Sequence, residues 1–181
     1  MKLMIASDLH GSCKYGKLLF ERFDEEKPVR LILLGDLLYH GARNALPQEY
    51  DTIELTKLLN AHREDILAVR GNCDAEIDQT VLQFPIMADY LQLFVDGRPW
   101  FVTHGHLYDE HTDLPYQQGT VVLHGHTHVK AMQRLGRICY VNPGSVSIPK
   151  DGDVRSYMIY EDGVFTAKDV EDGSELMSYK L

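Results

Sequence analysis

The N-terminal part of the chain alternates short apolar runs with longer amphipathic stretches. The apolar runs at residues 3–6, 30–34 and 66–69 are almost continuous, as in strands that are covered on both faces of a parallel sheet. Residues 14–26 and 52–62 carry apolar side chains at helical spacing between these runs. The alternation predicts a βαβ unit with parallel strand pairing.

The C-terminal part changes to short strands joined by tight turns. A short helix is predicted over residues 75–84, and a further core strand over residues 121–124. Three strand pairs flank turn signals: 90–95 with 98–102, 130–135 with 138–142, and 157–160 with 164–167. We therefore expect an α/β fold in which two sheets pack together with helices outside, forming a single domain over residues 1–181.

Five of the apolar runs end in glycine beside aspartate, asparagine or histidine. These endings are Asp8-Leu9-His10-Gly11, Gly35-Asp36, Gly71-Asn72-Cys73-Asp74, Thr103-His104-Gly105-His106 and Gly125-His126-Thr127-His128. Their side chains bind divalent cations through oxygen or imidazole nitrogen. Together they predict one strand-end edge that carries a two-metal site for phosphoryl transfer.

Taken singly, these residues fit simpler interpretations, such as turn residues or surface histidines. Their combination favours a metal centre. Asp8, His10, Asp36 and His128 would hold one ion, and Asp36, Asn72, His104 and His126 would hold the second. The shared carboxylate of Asp36 is expected to offer one oxygen to each ion.

Amino-acid composition indicates a globular domain and disfavours some kinds of binding partner. Hydrophobic residues make up 44% of the 181 residues and charged residues 25%, which is typical of a globular domain. The net charge of −9 and the lack of a Lys/Arg cluster argue against nucleic-acid binding. They do not argue against a small phosphorylated substrate, because bound metal reverses the local charge. With no CxxC pair, signal peptide or membrane-length apolar run, we expect a cytoplasmic protein without membrane association.

The ordered set Asp-x-His, Gly-Asp, Gly-Asn-x-Asp, His-Gly-His and Gly-His-Thr-His resembles the calcineurin-like metallophosphoesterase superfamily. Residues 40–47, 69–74 and 142–150 are similar to its bacterial YfcE-type phosphodiesterases. The resemblance implies a four-layer α/β/β/α sandwich and hydrolysis of a small phosphodiester by a water that two metal ions activate. It also supports the ligand partition above. It implies manganese as the usual metal, although iron, nickel and zinc suit the same ligands.

One position departs from the pattern of many relatives, in which a histidine follows the motif asparagine and is thought to protonate the leaving group. Here that position is Cys73. A thiol with an ordinary pKa of about 8.5 is a poor acid. Cys73 remains a candidate catalytic residue, with a small packed residue as the equal alternative. Asp74 or His106 is expected to orient ligands or substrate.

Two arginines are candidates for contact with the substrate phosphate. Arg70 precedes a ligand turn, where a structural salt bridge is an equal alternative. Arg43 lies beside Asn44 on the long loop 37–50, a place that suits substrate specificity, although a solvated loop is the alternative.

Three functions remain open at this point. The leading one is a phosphodiesterase, and the second is a phosphomonoesterase or protein phosphatase on the same metals. A non-catalytic scaffold, as in the retromer subunit with this fold, is disfavoured because all seven ligand positions are filled. A homo-oligomer is left open.

Overall fold

The computed structural model describes residues 1–112 and 115–181 and contains two β-sheets and three helices. The helices are α1 (Cys13–Glu26), α2 (Thr52–Ala61) and α3 (Glu76–Val81). The strands are β1 (Leu3–Ala6), β2 (Leu31–Leu33), β3 (Ile66–Ala68), β4 (Tyr90–Val95), β5 (Arg98–Thr103), β6 (Val121–Leu123), β7 (Lys130–Leu135), β8 (Ile138–Pro143), β9 (Ser156–Glu161), β10 (Val164–Asp169) and β11 (Glu175–Lys180).

The first sheet has six strands in the order β11-β10-β9-β1-β2-β3. β1, β2 and β3 pair in parallel, so the predicted βαβ arrangement is confirmed. α1 begins after Ser12, whose hydroxyl accepts a hydrogen bond from the backbone N–H of Tyr15. α1 and α2 bury apolar side chains such as Leu19 and Leu55 against the outer face of this sheet.

The second sheet has five strands in the order β4-β5-β6-β8-β7. The predicted hairpin turn between β4 and β5 places Asp96 at φ 48° and Gly97 at φ 74°. The turn between β9 and β10 repeats this geometry with Asp162 and Gly163. Both turns need left-handed backbone, which explains the Asp-Gly pairs.

The two sheets enclose a shared core that includes Ile5, Ile32, Trp100 and Phe165. The mixed α/β fold with two sheets and flanking helices is therefore confirmed. The outer face of the five-stranded sheet differs in detail from the predicted fourth layer. In the described residues, aromatic side chains of the 104–120 segment, among them Tyr108, pack on it in place of a helix.

Two elements, α3 and β11, depart most from the sequence-based prediction, each for an identifiable reason. α3 ends at Val81 instead of residue 84, because Leu82 and Phe84 turn into the core beneath the helices. The edge strand β11 had no predicted counterpart, since its alternation of polar and apolar residues is weak. Along the described part of the chain, every helix is too short or too polar to cross a membrane.

The fold brings the predicted ligand turns together. Those of Asp8, Asp36 and Asn72 follow β1, β2 and β3, which are neighbours in the six-stranded sheet. Those of His104 and His126 follow β5 and β6, which are neighbours in the other sheet. The carboxyl ends of these strands meet at one edge of the sandwich.

Candidate functional site

The first group of predicted ligands surrounds one carboxylate oxygen. Asp8 Oδ1 lies 3.2 Å from His128 Nε2 and 3.5 Å from His10 Nε2. The other oxygen, Oδ2, accepts a hydrogen bond from the backbone N–H of His126 at 3.1 Å. One oxygen is thus held by the backbone, and the other faces the imidazoles.

The second group is arranged in the same way around Asp36. Its Oδ2 lies 3.5 Å from His104 Nε2 and 3.6 Å from His10 Nε2, so this oxygen faces both groups. Its Oδ1 accepts a hydrogen bond from the backbone N–H of Cys73 at 2.8 Å. Oδ2 therefore faces both histidines while Oδ1 is held by the backbone, and the expectation that each oxygen of Asp36 serves one ion stays a prediction.

Asn72 and His126 complete the second group at its exposed side. Asn72 Oδ1 is 3.1 Å from His104 Nε2. The ring of His126 lies 5.1 Å from the ring of His104 and lines the adjoining cleft. All seven predicted ligands therefore lie at the same strand-end edge, five of them buried and these two more exposed.

Three of the histidines are oriented by backbone carbonyl groups. The Nδ1 atoms of His10, His104 and His128 lie 2.9, 2.7 and 2.8 Å from the carbonyl oxygens of residues 39, 34 and 148. A carbonyl oxygen only accepts, so each Nδ1 donates and each neutral ring turns the Nε2 lone pair into the site.

This tautomer makes two short contacts unfavourable unless a cation lies between the atoms. His10 Nε2 and His128 Nε2 are 3.2 Å apart, and both would present lone pairs. His104 Nε2 meets the amide oxygen of Asn72, which is also an acceptor. A bound cation turns both repulsions into coordination, which is what a nitrogen and oxygen ligand set provides.

The charge state of Asp8 also suits a cation. Its carboxylate is fully buried, and Oδ1 has no hydrogen-bond partner among the described residues. Burial acts to raise the pKa of Asp8, but His10 and His128, which carry Nε2 protons when no cation takes their place, outweigh it and hold the pKa well below its usual value. A buried, ionised carboxylate with one free oxygen is costly unless a positive charge compensates it.

The backbone at these ligands is held in an unusual conformation. Asp8, His10, Asp36, His126 and His128 all have positive φ, between 48° and 68°. Each such residue costs about 1–3 kcal/mol unless its surroundings impose it. Concentration of this strain on five predicted ligands indicates that the chain is shaped for the site.

Two glycines permit the close approach of the ligand turns. A Cβ at residue 71 would overlap the carboxylate of Asp36, and one at residue 125 would overlap the side chain of Ser7. The glycines in the Gly-Asn and Gly-His motifs are therefore needed for space, and not for positive φ.

Side chains of the 142–147 segment hold two of the predicted ligand turns in place through hydrogen bonds to their backbone oxygens. The hydroxyl groups of Ser145 and Ser147 donate to the backbone oxygen of Asp8 at 2.8 and 3.0 Å. Asn142 donates through Nδ2 to the backbone oxygen of Gly125 at 2.8 Å. This explains a motif that the sequence analysis noted without a role.

With the geometry established, comparison with known proteins identifies the family. The model of the calcineurin-like phosphoesterase superfamily domain matches residues 1–162. The chain belongs to this superfamily.

The relatives agree with this assignment. Phosphodiesterase YfcE of Escherichia coli K12 is 41% identical over 174 residues, which cover 96% of this chain and 95% of that protein. The solved structure of YfcE, described as a phosphoesterase from E. coli, has a TM-score of 0.97 and 40% identity, with 99% of each chain covered. The predicted resemblance to YfcE-type enzymes is confirmed, as is the prediction of a hydrolase that acts on phosphate esters.

A more distant structure shares the fold alone. The zinc complex of Vps29 from Entamoeba histolytica matches with a TM-score of 0.60 and 15% identity over 99% of each chain. Membership of the metallophosphoesterases, together with the Asp8–His10–His128 cluster, supports the use of divalent metal by this chain.

Asp74 lies behind the site and braces two of its turns. Its carboxylate accepts hydrogen bonds from the backbone N–H groups of Asp36, Leu37 and Gly71 at 2.7–2.8 Å. Because three backbone N–H groups donate to it, the carboxylate of Asp74 is turned away from the predicted ligands. The arrangement favours the predicted orienting role, exerted through the backbone of Asp36.

Cys73 faces the cleft beside the ligand turn. Its Sγ lies 3.2 Å from Asn72 Nδ2. Burial, followed by the charge of Asp36, raises the pKa of the Cys73 thiol to about 12. Such a thiol stays protonated at neutral pH and donates its proton even more weakly than an ordinary cysteine.

His106 is close to the second ligand group without joining it. Its ring lies 5.3 Å from that of His104 and 6.2 Å from that of His126, and its Nδ1 has no hydrogen-bond partner in the described residues. Burial, and then the neighbouring histidines, lowers the pKa of His106. A neutral ring at the rim of the site fits a role in orientation better than one as a proton donor.

Arg70 is paired with a carboxylate. Its Nη2 lies 2.6 Å from Asp89 Oδ1, and its backbone N–H donates to the carbonyl group of Ala88. Of the two predicted roles, the structural salt bridge is the one that the geometry favours.

A cleft with a volume of about 480 Å³ opens beside the ligand set. Four of the predicted ligands, Asp36, Asn72, His126 and His128, form one side of it. Arg43 and Asn44 from the long loop line it, as the sequence analysis expected for a specificity loop. Lys150 lines it as well, a residue to which sequence reasoning assigned no role, because a lone lysine in a loop carries no distinctive pattern.

Proposed function

We propose that the chain is a phosphodiesterase that holds two divalent metal ions. Manganese is the expected metal, although the same nitrogen and oxygen ligands suit iron, nickel and zinc. The observation that carries the proposal is the position of Asp36 Oδ2, which faces His10 on one side and His104 on the other. A single oxygen between two imidazole groups is one of the arrangements by which a carboxylate can bridge two ions.

The proposed ligand groups follow from this position. Asp8, His10, Asp36 and His128 would hold one ion, and Asp36, Asn72, His104 and His126 would hold the other. When bound, the ions supply polarisation of the phosphoryl group and an activated water as nucleophile. The chain therefore needs no serine or cysteine nucleophile.

The remaining residues position these groups. Asp74 fixes the Asp36 turn through backbone hydrogen bonds, and carbonyl groups fix the three buried histidines. The exposed amide of Asn72 and the half-buried ring of His126 lie at the cleft, where a substrate phosphate would enter. His106 would help to align His104 or the substrate.

The other functions fit less well. Hydrolysis of alkyl monoesters by a phosphomonoesterase or protein phosphatase demands protonation of a poor leaving group, and the thiol at Cys73 is a poorer general acid than the histidine that many relatives carry there. A non-catalytic scaffold would not need five strained residues in a filled ligand set. A cytoplasmic location, a small phosphodiester as substrate and a homo-oligomeric state remain predictions.

Metal removal tests the proposal directly. We expect protein treated with a chelator to lose hydrolysis of bis(4-nitrophenyl) phosphate by more than about 100-fold, since loss of metal-site support alone commonly costs 10–100-fold. Manganese should restore it, and metal analysis of the active protein should give two ions per chain. Unchanged turnover after verified removal of metal would contradict the proposal.

The two histidines of the Gly-His-Thr-His motif should affect different ions. His128 Nε2 lies 3.2 Å from Asp8 Oδ1, whereas His126 lies beside His104. We expect His128→Ala to empty mainly the position at Asp8 and His126→Ala mainly the position at His104. Crystals of both variants grown in excess manganese, with anomalous scattering used to locate the ions, would measure this.

The two variants serve as controls for each other, because both replace a histidine in left-handed backbone. Loss of the same ion from both variants would refute the partition of the ligands.

A further inference from the structure

We propose that Arg43 and Lys150 form a subsite for a second anionic group of the substrate, next to the phosphodiester. The inference rests on the proposed phosphodiesterase function and adds the class of substrate to it. Both residues line the 480 Å³ cleft that the metal ligands face, and both are exposed.

These two cations lack acidic partners and are free to bind an anion. The chain carries 27 acidic and 18 basic residues, and eight of the basic residues form salt bridges in its described part. Two basic residues near the site are among the paired ones: Arg70 pairs with Asp89 and Lys130 with Asp153. Among the described residues, neither Arg43 nor Lys150 forms a salt bridge.

Among the residues that line the cleft, no carboxylate is free to pair with Arg43 or Lys150. Asp36 is the carboxylate that lines it, and this group is engaged by the backbone of Cys73 and by the ligand histidines. Two positive charges at the mouth of an otherwise acidic protein therefore raise the local concentration of anions.

Both cations are carried by well-defined turns. Asn44 holds the loop before Arg43 through its Nδ2, which donates to the carbonyl oxygen of His40 at 2.8 Å, and its N–H donates to that of Gly41. Gly41 packs so closely that a Cβ there would meet Cys73 Sγ at 3.1 Å. The turn of Arg43 is thus fixed against the ligand turn.

The turn that carries Lys150 is fixed in a similar way. Its N–H donates to the backbone oxygen of His128 at 3.2 Å, and its carbonyl oxygen accepts from the N–H of Asp153. Asp153 is in turn paired with Lys130. Because both turns are ordered before substrate arrives, binding of an anion between their side chains costs less conformational entropy.

The residue types indicate the chemistry of the group that binds. A guanidinium presents a planar pair of donors that matches carboxylate, sulfonate and phosphate, and an ammonium group adds a point charge. The expected substrates are therefore diesters whose retained alcohol carries one of these anions. Diesters with a cationic retained group should be disfavoured.

Three chromogenic diesters of similar size isolate this effect. They share the 4-nitrophenyl leaving group, and their second alcohol is 2-sulfoethanol, propanol or choline. A sulfonate binds metal ions weakly, so it reports on the cations of the cleft. For manganese-loaded wild-type protein we expect kcat/KM to fall in that order, with about tenfold between the sulfonate and choline esters, the effect of one charge-assisted contact.

Charge variants test the assignment to the two residues. Arg43→Gln and Lys150→Gln should each reduce the sulfonate-to-choline ratio, and Arg43→Glu with Lys150→Glu should invert it. Lys180→Gln, an exposed charge loss on the edge strand β11, is the matched control and should keep the wild-type ratio. The ratio should also shrink as sodium chloride is added, because these cations are exposed.

Binding without turnover provides an independent measurement. Calorimetric titration with 2-sulfoethyl methylphosphonate and propyl methylphosphonate should show tighter binding of the sulfonate to wild type, and the preference should be lost in the double variant.

The outcomes separate the two proposals. Hydrolysis of all three diesters at equal kcat/KM, or a ratio that Lys180→Gln changes as much as Arg43→Gln, would overturn the anion subsite and leave the phosphodiesterase standing. Absence of hydrolysis for all three esters would overturn the phosphodiesterase proposal and the subsite with it.

Discussion

Asp36→Ala is expected to abolish diester hydrolysis and to lower metal occupancy at both positions. Asp36 Oδ2 faces His10 and His104 at 3.6 and 3.5 Å, so one substitution removes a ligand from each group. Changes in residues that merely support a metal ligand cost about 10–100-fold, and loss of a shared ligand should exceed the upper end of that range. The measurements are kcat/KM for bis(4-nitrophenyl) phosphate and metal content per chain.

Two further variants separate charge from backbone effects. Asp36→Asn keeps the shape of the side chain, an acceptor for the N–H of Cys73 and tolerance of left-handed backbone, but it removes the negative charge. It should retain its fold and still lose most activity. Asp162→Ala replaces an exposed aspartate with φ 49° outside the site and should leave activity unchanged. Full activity of Asp36→Ala with two ions bound would refute the dinuclear assignment.

The parts of the fold that follow from local pattern could be predicted from sequence. β1 and β4 have the predicted bounds, and the Asp-Gly turns form as their chemistry requires. Elements whose limits depend on tertiary packing were less predictable. α3 stops early because Leu82 packs in the core, and β11 pairs at an edge where only one neighbour, β10, is available.

The candidate site, too, could be predicted only in part from the sequence. Residue type and strand-end position were sufficient to nominate the seven ligands, because the carboxyl ends of neighbouring strands share an edge. The orientation of each group was not predictable. That Asp36 turns a single oxygen to both histidines depends on a hydrogen bond from the backbone of Cys73, and the partner of Arg70 is a residue far outside its motif.

Lys150 shows a further limit of sequence reasoning. It reaches the cleft because its turn is hydrogen-bonded to the backbone of His128. A contact between segments that are distant in sequence leaves no local pattern, so only the structure connects this lysine with Arg43.

Cys73→His should improve hydrolysis selectively for diesters with poor leaving groups. An aryloxide of low pKa departs without protonation, whereas an alkoxide of high pKa needs a proton as its bond to phosphorus breaks. General acid catalysis of this kind is typically worth about 10²–10⁴-fold. A thiol is an ordinarily poor general acid and supplies little of it. An imidazole at this position, on the open side of the cleft, would supply part.

The measurement is kcat/KM across a series of leaving groups for wild type, Cys73→His and Cys73→Gln. Glutamine approaches histidine in size but offers no acidic proton near neutral pH, so it controls for packing against the turn at Gly41. A gain that grows with leaving-group pKa in the histidine variant alone supports proton donation. A uniform loss in both variants would instead show that a small side chain is required at residue 73, since any larger group would displace the Gly41 turn and with it the wall of the cleft.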